Sequence, residues 1–114
     1  MSSETKHDKV EIPIACNLTA LDVGQRERKR ALQERLRADV REIREIEGGY
    51  AFKHSSEPEV LLTLAQFVAL ERLCCPFFDF GIEIEREGGP LWLRMTGSEG
   101  AKEVLRAEIG AGGA

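Results

Sequence analysis

The sequence predicts an α+β fold, a two-layer sandwich in which an antiparallel sheet carries helices on one face. Three observations predict it. Stretches with the 3.6-residue apolar period of a helix alternate with stretches of the two-residue period of a strand. Each strand pair is broken by a glycine turn, Gly48-Gly49 in the first and Gly88-Gly89-Pro90 in the second. Helix and hairpin then recur in the same order over residues 20–54 and 57–96, which hints at an internal helix–hairpin repeat.

The elements follow in order. Residues 1–8 are polar and read as a disordered N-terminal tail. Residues 9–109 form a single domain, and residues 110–114 a flexible C-terminal tail. Val10, Ile12 and Ile14 alternate in a short strand over residues 10–16, and Pro13 argues for an edge position. A first helix spans residues 20–38 with Asp22 as N-cap and Leu21, Val23, Ala31, Leu32 and Leu36 on its apolar side. Its basic run, Arg26-Glu27-Arg28-Lys29-Arg30, reads as a solvated, salt-bridged face. Residues 39–47 repeat Val40, Ile43 and Ile46 at every third position, a spacing that fits either a strand or a helix extension. A hairpin over 40–54 is the better reading, because Tyr50 and Phe52 alternate after the glycines. Ser55-Ser56-Glu57-Pro58 opens a second helix. Phe78, Phe80, Ile82 and Ile84 alternate in the clearest strand of the chain, with Leu91, Leu93 and Met95 in its partner. Thr96-Gly97-Ser98-Glu99 caps a last helix carrying Ala101, Val104, Leu105 and Ile109.

The second helix holds the candidate site. Val60, Leu61, Leu64, Phe67 and Val68 share one face, and Glu71 and Cys75 fall on it one turn apart, with Cys74 at its edge. Pro76 stops the helix there. A cysteine on a core face is ordinary, but a carboxylate there needs a partner or its pKa rises. That partner could be Arg72, a backbone amide, a thiol or a metal. Adjacent cysteines make a strained disulfide with each other, whereas two adjacent thiolates suit a soft ion. Cys16 is either a small buried side chain or a third thiolate that meets Cys74 and Cys75.

Composition narrows the function. With 42% hydrophobic and 32% charged residues the chain fits a soluble globular protein, and 16 basic against 20 acidic residues give a net charge of −4, which disfavours nucleic acid. No apolar run is long enough to span a membrane, and the first residues carry no signal-peptide core. Three cysteines, an odd number with two adjacent, fit a cytoplasmic protein. His7 and His54 read as solvated. An open second sheet face would suit a homodimer.

Glu71-Arg72-Leu73-Cys74-Cys75-Pro76-Phe77-Phe78-Asp79-Phe80, then Gly89-Pro90-Leu91-Trp92-Leu93-Arg94-Met95-Thr96-Gly97 and Gly100-Ala101-Lys102-Glu103, resembles a family of small, largely uncharacterised bacterial proteins. Its pattern is E-R-x-C-C-P-F followed by G-P-L-x-L-x-x-T-G, and Gly49-Tyr50-Ala51-Phe52 also matches it. The resemblance covers most of residues 16–106 and implies no particular activity.

Three functions therefore compete. The first is a small thiol protein that binds a soft metal or metalloid ion, Cu(I), Hg(II), As(III) or Zn(II). Its ligands would be Cys74 and Cys75, with Cys16 or Glu71 completing the shell. The second is a cysteine-dependent enzyme or redox switch acting on a small thiol-reactive molecule. Cys74 or Cys75 would be its nucleophile and Glu71 its acid/base. The third is a non-catalytic interaction module in which Phe77, Phe78 and Trp92 form core or interface.

Overall fold

The computed structural model describes residues 16–113. The tail over 1–8, and all of the strand expected over 10–16 except Cys16, lie outside the described residues. The elements are α1 (Val23–Asp39), β1 (Glu42–Ile46), β2 (Gly49–His54), α2 (Pro58–Cys74), β3 (Phe78–Ile84), β4 (Leu91–Gly97) and α3 (Ala101–Gly113). Helical backbone thus continues past the boundary expected at residue 109. The four strands make one antiparallel sheet in the order β1-β2-β4-β3. The fold is α+β, with helices packed on the sheet. The helix–hairpin order recurs as expected, but the structure does not show an internal repeat.

Local chemistry sets the element ends. Asp22 caps α1 with a full capping box: its carboxylate accepts from Gln25 N at 2.8 Å, and the Gln25 side chain accepts from Asp22 N at 3.0 Å. α2 starts without a side-chain cap and relies on Pro58, whose ring presets the first helical φ. The ambiguous stretch 39–47 resolves into the end of α1 and strand β1. The first hairpin turns at Gly48, whose φ is +81°. Gly49 follows because the Met95 carbonyl of β4 stands where a Cβ would be.

Strand register decides what faces the helices. Tyr50, Phe52 and His54 on β2 lie opposite Met95, Leu93 and Leu91 on β4, which lie opposite Phe80, Ile82 and Ile84 on β3. The two-residue period puts all of these on the helix side. From above, α2 contributes Leu64 and Phe67, and α1 contributes Leu32 and Leu36. Complete burial of a side chain such as Leu64 stabilises the fold by about 1.5–3 kcal/mol. Val23 and Ala31, placed on the apolar side of α1 by periodicity, are exposed. Trp92 points to the other face. It is covered there by the Arg44 guanidinium 4.6 Å above its ring, and its indole N–H donates to Glu85 at 2.8 Å. Among the described residues, no helix is long and apolar enough to cross a membrane.

Candidate thiol and metal centre

The centre lies where α2 ends. The last turn of a helix leaves carbonyls without intrahelical partners. Here Cys75 N–H donates to Glu71 O at 2.8 Å and closes the helix. The Cys74 carbonyl accepts from Asn17 N–H at 2.6 Å. That second bond brings the segment carrying Cys16 onto the end of α2. Cys16 and Cys75 form a disulfide, with Cα atoms 4.6 Å apart across a sequence separation of 59. Cys16 therefore reaches the pair, and the bridge joins it to Cys75 rather than joining the two neighbours. Cys74 stays a free, buried thiol.

Glu71, Cys74 and Cys75 are all buried, and their ligand atoms lie within 4.8 Å of one another. Cys74 Sγ is 3.8 Å from Cys75 Sγ and 3.7 Å from Glu71 Oε1. The partner of Glu71 is Lys29, with Nζ 3.0 Å from Oε1. Arg72, one of the partners considered from sequence, is exposed. Lys29 comes from the basic run read as a solvated face. Its turn of α1 packs against α2, and one lysine of the run reaches inward while its neighbours stay in water. Nothing in the run itself marks which cation does so.

Electrostatics follow from this pairing. Burial pulls the Lys29 ammonium down, but the charge and hydrogen bond of Glu71 outweigh it, so its pKa is raised and the lysine is charged. The Cys74 thiol is pushed up, first by burial and then by the Glu71 charge, with Lys29 opposing. Cys74 is thus a protonated thiol at neutral pH. It is a poor nucleophile by itself, but a metal can displace its proton.

His54 corrects a second expectation. It is not a solvated loop residue but the last residue of β2, and it is 2% exposed. Its Nδ1 lies 3.0 Å from Asp39 Oδ2, which also accepts from Ser55 N–H at 3.0 Å. Burial lowers the His54 pKa from 6.5 and outweighs the attraction of Asp39. Unfolding therefore lets this ring take up a proton more readily. Its contribution to stability is full above the unfolded value near 6.5 and falls as pH drops through it. We expect a lower urea midpoint at about pH 5.5 than at about pH 7.5, and a smaller difference in His54→Gln.

Comparison with protein-family models, curated proteins and solved structures gives no significant match.

Proposed function

We propose that the reduced protein binds a soft metal or metalloid ion through Cys74, Cys75 and Cys16, with Glu71 beside the shell. The observation that carries this is convergence. Glu71, Cys74 and Cys75 are buried with their ligand atoms within 4.8 Å of one another, and Cys16, half-buried and from a segment far away in sequence, is bonded to Cys75. Thiolates select soft ions, and a three-sulfur set suits trigonal As(III) or Hg(II), with Cu(I) and Zn(II) as further candidates. The disulfide and the metal site are alternative states of the same sulfurs, so ion capture requires reduction first. A cytoplasmic setting would supply that reduction. The resemblance of residues 71–80 and 89–97 to the bacterial E-R-x-C-C-P-F family belongs to the same proposal, and members with both cysteines would share the site.

One observation favours a second reading. A free thiol, Cys74, stands 3.8 Å from a sulfur of the Cys16–Cys75 bridge, the juxtaposition needed for thiol–disulfide exchange. The raised pKa of Cys74 weighs against fast attack, so ion binding is the stronger reading.

Anaerobic titration with As(III), Hg(II), Cu(I) and Zn(II), followed by thiolate-to-metal absorption and native mass, tests it. The reduced chain should take up one ion, and the oxidised chain should bind at least tenfold more weakly. Cys74→Ser and Cys75→Ser should each abolish tight binding while the far-UV spectrum stays native. Binding unchanged in both variants would remove the site. Glu71→Gln separates the two readings: unchanged affinity with lost thiol-dependent turnover would favour an enzyme.

A further inference from the structure

A cleft of about 190 Å³ opens along α1, bounded by α3 on one side and by the sheet and α2 below. Leu36, Phe52, Phe67, Leu93, Met95 and Leu105 make its walls apolar. An apolar cavity near 150 Å³ holds benzene, so this one has room for a single substituted ring. Four ionisable side chains also line it. Glu71 is already neutralised by Lys29. Glu108 and Arg37 are on its exposed side. His54 is the fourth.

His54 sets the chemistry. Asp39 can only accept, so Nδ1 carries the proton and Nε2 is left as an acceptor. Among the described residues no donor meets Nε2. Nε2 is not one of the fully buried atoms left without a partner, so solvent reaches it, and a ligand hydroxyl would take the place of water there. With Glu71 paired to Lys29 and Glu108 set against Arg37, the lining offers an anion no net positive charge.

We propose that this cleft binds a small uncharged aromatic molecule bearing one hydroxyl, a phenol, with its ring among the apolar walls and its O–H donated to His54 Nε2. The site is separate from the ion-binding reading and does not depend on it. Glu71 is the one residue that both the cleft and the thiol cluster use.

The test is a two-dimensional amide NMR titration of the full chain with its disulfide intact, so that ion binding plays no part. The probes are 4-methylphenol, toluene and 4-methylbenzoate. We expect 4-methylphenol to shift the amides of Phe52, His54, Leu93 and Met95. Toluene should bind the same place about fivefold more weakly, the share of one hydrogen bond, and the benzoate should not bind. Leu105→Trp should fill the cleft and end binding, and His54→Leu should make the phenol and toluene equivalent. Absence of localised shifts with every probe on the folded wild-type chain would overturn the site. Equal wild-type affinity for phenol and toluene would overturn the role of His54. Neither of these two outcomes depends on a variant that folds.

Discussion

Lys29→Met is expected to destabilise the fold by about 3 kcal/mol. Glu71 is 2% exposed, and the Lys29 ammonium 3.0 Å away is the cation beside it. Without the ammonium, the carboxylate is buried unpaired, against an apolar cleft on one side and a raised-pKa thiol on the other. Removing one member of a buried ion pair typically costs about 3–5 kcal/mol. The lower end applies here, because the Lys29 side chain keeps 19% exposure and some water reaches the pair. Lys29→Met combined with Glu71→Leu should recover most of the loss, since removing both charges also removes the burial penalty. Urea denaturation of the single and double variants at neutral pH measures this. A single-variant loss below about 1 kcal/mol would place the contact with ordinary surface ion pairs.

Cys16→Ser should have an effect of similar size, but only under oxidising conditions. The bridge closes a loop with a sequence separation of 59. In the chain-entropy model, a loop of that length stabilises the fold by about 4 kcal/mol. The expected result is a variant about 4 kcal/mol less stable than wild type without reductant and nearly equal to it with dithiothreitol. Urea curves for both proteins in both conditions supply the comparison. If the gap persisted in reductant, the Cys16 side chain would matter through packing and not through the bridge. The same figure frames the proposed ion site. A ligand at about a thousand times its Kd returns about 4 kcal/mol to the folded state, less whatever the unfolded thiols recover by binding it. An ion could therefore replace the stability lost on reduction.

What the sequence made legible was local. The face of α2, the stop at Pro76, the Asp22 cap and the strands β3 and β4 each depend on neighbours within a few residues, and each is observed, although Ile84 at the end of β3 is exposed and Trp92 on β4 is buried on the opposite face. The burial of Glu71 was legible for the same reason, because 100° steps along one helix place it on the face of Leu61, Leu64, Phe67 and Val68. What was hidden was long-range. Lys29 is one of several cations in its run, and only the packing of α1 on α2 selects it. Cys16 meets Cys75 where Asn17 N–H bonds the Cys74 carbonyl at the end of α2, a contact that no periodicity announces. His54 precedes Ser55-Ser56-Glu57-Pro58, a strong turn signal, and so read as loop. Its buried ring is held by Asp39, the last residue of α1, fifteen residues earlier in the chain.

The bond between Cys16 and Cys75 also divides the molecule topologically. It turns α1, the first hairpin and α2 into a closed covalent ring, and leaves the second hairpin and α3 as a pendant arm. The seam between β2 and β4 is where arm meets ring. A break in the backbone within the ring leaves one covalent molecule, whereas a break beyond Cys75 separates the arm.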